Sequence, residues 1–164
     1  MKFLRNLMSA LTLTLAAHSA FAGSAKSTKN AITVAEEAGQ FKTLLAALDI
    51  AGLTETVRTT PNLTIFAPND EAFARVPTKA LNDLLANPEA LKDVLLYHVV
   101  GAKVPAKVAI TLLEAEMLNG KKVNISFTAP SLLQINDSLV IAADIDAGNA
   151  IIHVIDHVLL PPTK

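Results

Sequence analysis

The spacing of the apolar residues changes once along this chain, and that change restricts the fold more than any other feature. From residue 31 to about 96 the apolar residues recur at helical spacing; after about 117 they fall into short runs bounded by turn residues. Phe41, Leu44, Leu45 and Leu48 share one helical face, and Gly52 is placed to end that helix. Ile32, Val34 and Ala35 begin a shorter helix before it, and Leu53 to Val57 contribute a third. Leu63 to Ala67 reads as a buried strand between Pro61-Asn62 and Pro68-Asn69-Asp70, where Asn69 or Asp70 can cap a short helix through Phe73 and Ala74. Two more helices follow, one from Thr78 with Leu81, Leu84 and Leu85, the other after Asn87-Pro88 with Leu91, Val94 and Leu95.

In the second half, Met117-Leu118 and Val123 to Phe127 flank Asn119-Gly120, which predicts a hairpin with two left-handed turn residues. Leu132 to Ile135 and Leu139 to Ala143 pair around Asn136-Asp137-Ser138. Ile151 to Leu160 is the last and longest strand run, stopped by Pro161-Pro162. Helices gathered in the first half and strands mainly in the second specify an α+β fold.

The first 22 residues follow a different logic. Lys2 and Arg5 precede an apolar stretch from Leu7 to Ala17, and Ala20-Phe21-Ala22 supplies the small residues a signal peptidase reads. The apolar run is shorter than the roughly 20 residues of a spanning helix, so it reads as a cleavable signal peptide, not an anchor. The expected organisation is a signal peptide over 1–22, a flexible lead-in over 23–30 and one domain over 31–162. A mature chain of that kind is secreted or periplasmic. It has no second run long enough to span a bilayer.

Charge and cysteine content exclude several function classes. Lys2 and Arg5 are two of the 14 basic residues, so the remainder carries 12 against 15 acidic ones, net −3. That balance, with no basic block, argues against nucleic acid as a partner and against a polybasic membrane patch. The chain has no cysteine. Disulfides, thiolate metal sites and a cysteine nucleophile are therefore excluded, and an exported domain without disulfides suits a bacterial envelope. The sequons at Asn62, Asn124 and Asn136 are too short a pattern to argue otherwise.

The side chains that could carry chemistry are few. His153 and His157 lie four apart in a run with strand character, which separates them by about 13 Å, too far for one ion. Ser126, Ser131 and Ser138 lie in no nucleophile-elbow context. Glu36, Glu37, Glu114 and Glu116 read as solvated charges, and Asp137, Asp144 and Asp146 lack the spacing of a calcium loop. No glycine-rich phosphate loop is present. These residues predict neither an enzyme nor a cofactor.

Three segments, in order, resemble the fasciclin (FAS1) domain family: Thr64-Ile65-Phe66-Ala67-Pro68-Asn69-Asp70-Glu71-Ala72-Phe73, then Leu96-Tyr97-His98-Val99-Val100, then Ile151-Ile152-His153-Val154-Ile155-Asp156 through Pro161. The resemblance runs from about Ile32 to Pro161. It implies a twisted β-sandwich or wedge flanked by helices, life outside the cytoplasm, and adhesion or ligand binding to an envelope or extracellular protein or glycan. Gly148-Asn149-Ala150 departs from the family's Asn-Gly before the last strand, which puts that turn in question.

The resemblance also singles out Tyr97 and His98, since the corresponding pair in eukaryotic members is linked to integrin-mediated adhesion. The reading preferred here is structural, with His98 hydrogen-bonded to Asp70 and Thr64, and His153 satisfied near the core. No Arg-Gly-Asp tripeptide is present. Because some fasciclin-type domains bind carotenoids, carriage of an apolar small molecule is the second function class, with Leu112-Leu113 and Met117-Leu118 as a possible groove. A hydrolase ranks last.

Overall fold

The computed structural model describes residues 29–129 and 132–162. The predicted signal peptide and most of the lead-in lie outside the described residues. Seven helices are described: α1 (Ala31–Ala38), α2 (Lys42–Ile50), α3 (Thr54–Thr59), α4 (Asp70–Ala74), α5 (Thr78–Ala86), α6 (Pro88–Leu96) and α7 (Ala106–Ala109). Seven strands accompany them: β1 (Leu63–Pro68), β2 (Val99–Val100), β3 (Glu114–Glu116), β4 (Lys122–Ala129), β5 (Leu132–Ile135), β6 (Ser138–Asp146) and β7 (Ala150–Ile155). The α+β expectation holds. Three short elements, β2, α7 and β3, fall where the sequence pattern predicts none.

Local chemistry sets the helix ends. Asn30 accepts from the Thr33 amide at 3.1 Å and starts α1, which stops at Gly39 with φ 72°. Asn69 caps α4 through the Ala72 amide at 2.9 Å, and Asn87 caps α6 with Pro88 in the tolerated first turn. Helix α2 has no side-chain cap of its own; Asp70 supplies one from across the fold, accepting from the Thr43 amide at 2.9 Å.

The strands form one sheet in the order β2-β1-β7-β6-β5-β4-β3. Among the described strands only β1 and β7 pair in parallel, from Leu63 opposite Ala150 to Pro68 opposite Ile155. Both are covered on their two faces, which explains their continuous apolar sequences. Leu63, Ile65 and Ala67 join Ala150, Ile152 and Val154 against helices α1 to α4 and α6. Phe66 and Ile155 instead enter a second core with Tyr97, Met117, Val123, Ile125 and Ile135. The sheet curls around that second core until its edges meet, where the Leu118 amide donates to the Val99 carbonyl at 2.8 Å.

Two local expectations need correction. Asn119-Gly120 is not a two-residue hairpin turn: pairing of β3 with β4 ends at Glu116 opposite Lys122, leaving a five-residue loop. Gly120 alone is left-handed there, at φ 80°. Met117 is drawn into the core, and the Asn119 side chain is occupied by Asp93 and the Lys121 amide. The last strand ends at Ile155, not Leu160. Beyond it, residues 156–162 form a strap held by a backbone bond at Asp156 and by side chains, with Ser138 Oγ donating to the His157 carbonyl at 3.0 Å.

The turn before β7 carries no strain at Ala150, which is fully buried in the strand while Gly148 takes the left-handed position at φ 75°. Asn149 has a use of its own. Its Oδ1 accepts from the Ala31 amide at 2.9 Å, and its Nδ2 donates to the carbonyls of Val57 and Thr60 at 2.8 and 3.0 Å. One side chain thereby fastens α1 and the end of α3 to the sheet.

Candidate functional site

The five residues singled out from sequence act as locks between backbone segments, and they do not converge on one site. Thr64 has no exposed surface. Its hydroxyl donates to the Ala102 carbonyl and accepts from the Val104 amide at 2.7 Å, so both capacities are filled. His153, also fully buried, takes the other side of the same residue. Its Nδ1 accepts from the Asp144 amide at 3.2 Å, so Nε2 carries the proton and donates to the Val104 carbonyl at 2.8 Å. Its ring stacks on Phe66 with centroids 5.6 Å apart.

Tyr97 and His98 face opposite cores. The Tyr97 hydroxyl donates to the Lys122 carbonyl at 2.9 Å and accepts from Asn136 Nδ2 at 3.2 Å. His98 Nε2 accepts from the Leu159 amide at 2.9 Å, which places the proton on Nδ1, 2.7 Å from the Val94 carbonyl it donates to. The expected partners Asp70 and Thr64 are not partners of His98. Asp70 is committed to α2, and Thr64 to the segment after β2. At 2% exposure each, Tyr97 and His98 offer no surface to a partner in this conformation. Removing the hydroxyl in Tyr97→Phe strands the Lys122 carbonyl. The expected loss is about 1–3 kcal/mol of unfolding free energy, read by urea titration.

Two of the three aspartates raised as a cation cluster are engaged locally. Asp144 Oδ1 accepts from the Ala106 amide and so caps α7, while Asp146 Oδ1 accepts from the Gly148 amide. Among the described residues no group of three or more His, Asp or Glu side chains is placed to hold a metal. His157 is half-exposed and donates from Nδ1 to Asp156 at 2.8 Å. Burial pushes the Asp156 carboxyl up, but hydrogen bonds from His157 and the Leu139 amide, with the charges of His157 and Arg75, outweigh it and hold that carboxyl below the usual range.

The concave surface that could receive a ligand lies elsewhere. A groove of about 810 Å³ runs between α5, α6 and the strap. Leu84, Ala90 and Val94 form its helical wall, Leu160, Pro161 and Pro162 the other wall, and Asp83, Asp93 and Lys121 its charged rim. Lys121 Nζ is paired with Asp93 at 3.0 Å. Beneath α5 the contact with α6 is closed, with a void of only about 10 Å³ lined by apolar side chains and His98. Leu112-Leu113 and Met117-Leu118, suggested from sequence as a groove, do not line this one. Met117 and Leu112 pack into the second core, while Leu113 and Leu118 are 82% and 44% exposed outside the groove. Nothing in the sequence marked the actual groove, because one wall is made by residues that read as the end of a strand.

Three comparisons bear on this arrangement. The family profile described as Fasciclin domain matches residues 39–161. The chain is 37% identical over 146 residues to protein sll1483 of Synechocystis sp., covering 82% of this chain and 77% of that protein. It is 39% identical over 126 residues to the transforming growth factor-beta-induced protein ig-h3 of Sus scrofa, covering 76% of this chain but 18% of that protein. A solved structure of a FAS1 domain pair from the insect cell adhesion molecule fasciclin I superposes with a TM-score of 0.62 at 19% identity, over 77% of this chain and 47% of that one.

Proposed function

The chain belongs to the fasciclin domain family, and from that membership we propose that it is an exported, noncatalytic binding module that engages a protein or glycan of the cell envelope or surroundings. The observation that carries the reading is the open groove between α5, α6 and the strap, apolar in its walls and charged at its rim. It contrasts with the polar residues of the family motifs, which are spent on backbone bonds. The description of fasciclin I as a cell adhesion molecule supports the class of activity. The signal-peptide pattern of residues 1–22 supports export, and no described helix is long and apolar enough to cross a membrane.

The groove's apolar walls favour one second reading, carriage of an apolar small molecule such as a carotenoid or lipid. Its volume lies within the roughly 300–1,000 Å³ of small-ligand sites.

Native mass spectrometry of the protein from its own organism, followed by binding to isolated envelope material, separates these readings. The expected result is an unliganded mass beginning at Gly23 and saturable binding to envelope. Leu160→Arg, at a position 51% exposed in the groove wall, should weaken that binding by at least about tenfold with an unchanged Tm. A co-purifying apolar mass would favour the carrier. A mass retaining residues 1–22 would overturn export, and undiminished binding by the Leu160 variant would remove the groove as the binding face.

A further inference from the structure

The strap that forms one wall of the groove is tied down unevenly. Its beginning is held three times over: the Asp156 amide donates to the Leu139 carbonyl at 3.1 Å, Asp156 Oδ1 accepts from the Leu139 amide at 2.8 Å, and Ser138 holds the His157 carbonyl. After Leu159 no further hydrogen bond is described through Pro162. The Leu159 amide on His98 Nε2 is thus the last polar tether before the wall residues Leu160, Pro161 and Pro162. The other end of the imidazole is fixed to α6 at Val94, and Val94 lines the groove itself. One ring therefore spans both walls.

That geometry admits only the neutral ring. A second proton on Nε2 would face the Leu159 N–H, donor against donor. We propose that His98 is an acid-sensitive latch: the neutral imidazole holds Leu159, and protonation releases the strap and opens the wall formed by Leu160–Pro162.

The surroundings of the ring leave no other group to absorb the charge. The small void that His98 lines is otherwise walled from α2 (Ala47), β1 (Pro68), α4 and its end (Phe73, Val76), α5 (Leu81, Leu84, Leu85), α6 (Leu91, Val94, Leu95) and the strap (Val158), all apolar. The charged groups on these elements are turned elsewhere. Asp70 serves the Thr43 amide, Asp93 is held by Lys121 and Asn119, and Asp156 is held by Arg75 and His157. Lys42, Asp49, Glu71, Lys79, Asp83, Glu89 and Lys92 are exposed. In keeping with this, burial pushes the imidazole down to about 4, against the hydrogen bond to Val94, and no charged neighbour contributes.

A released ring regains its ordinary affinity for protons, so the open population should grow as pH falls from about 6.5 toward 4. The test is native-state amide exchange at Leu159 by NMR, corrected for the intrinsic rate, at about pH 7.5 and about pH 4.5. Opening should increase on the order of 10²-fold at the lower pH. Low urea should leave the rate at Leu159 unchanged while accelerating Val154 in β7, because the strap opens without unfolding the sheet. The rise should persist in His157→Gln, which removes the strap's own titratable ring. Exchange at Leu159 that is equal at both pH values, that follows Val154 in its urea dependence, or that loses its pH response in His157→Gln would each overturn the latch.

Discussion

Phe66→Ala should lower the unfolding free energy by about 3–5 kcal/mol, the usual range for emptying a fully packed aromatic site. Phe66 is 1% exposed, at the middle of β1, where it enters the core inside the curled sheet. Its ring is stacked on His153, so the substitution also removes one support of the residue that pins Val104. Neighbours cannot collapse into the space, because the β1 backbone is held on both sides, by β7 and by the His98 carbonyl on the Phe66 amide at 2.8 Å. Urea titration should show a lower midpoint with an unchanged m value. A loss under about 1 kcal/mol would mean that the two cores are less tightly joined through β1 than the geometry requires.

The second large effect is a loss of stability in mild acid. His98 has its folded-state pKa lowered to about 4 from 6.5, so between those values the unfolded chain binds a proton that the native chain refuses. Stability from this group is complete above about pH 6.5, declines as pH falls, and has lost about 3 kcal/mol by pH 4 and below. Carboxylates titrate in the lower part of the window as well, so the informative quantity is the difference between the wild type and His98→Gln across it. The variant begins less stable at neutral pH and should show a shallower slope. Parallel profiles for the two proteins would assign the acid sensitivity to other groups.

How much of this was readable beforehand depended on where each residue's partner lies. The β1 and β7 segments were legible because burial on both faces demands continuous apolar runs. The helix cap at Asn69 was legible because a cap acts within three residues, and the start of α6 was legible from Asn87-Pro88. Tyr97, His98, Thr64 and His153 could be picked out, but their partners could not: these are mostly main-chain groups of Lys122, Val94, Leu159, Ala102 and Val104, which any residue type would present equally well. The bridge at Asn149 was hidden for the same reason, since its targets in α1 and α3 arrive only with tertiary packing. At Asn119 the local preference for a left-handed turn lost to the burial of Met117 and to Asp93.

The parallel pairing of β1 with β7 has a consequence for how the chain reaches its native state. The partners are separated by roughly ninety residues, so the centre of the sheet cannot assemble until nearly the whole polypeptide is available, and closing so long a loop slows the search. Local helices can flicker into place early, but the apolar faces of α1 to α4 and of β1 have no permanent cover until Ile152 and Val154 arrive. A polypeptide emerging N-terminus first would therefore remain extended and pliable until its final segment appears. If the chain is exported as proposed, that delay would suit threading across a membrane in an unfolded form, with the fold completed on the far side.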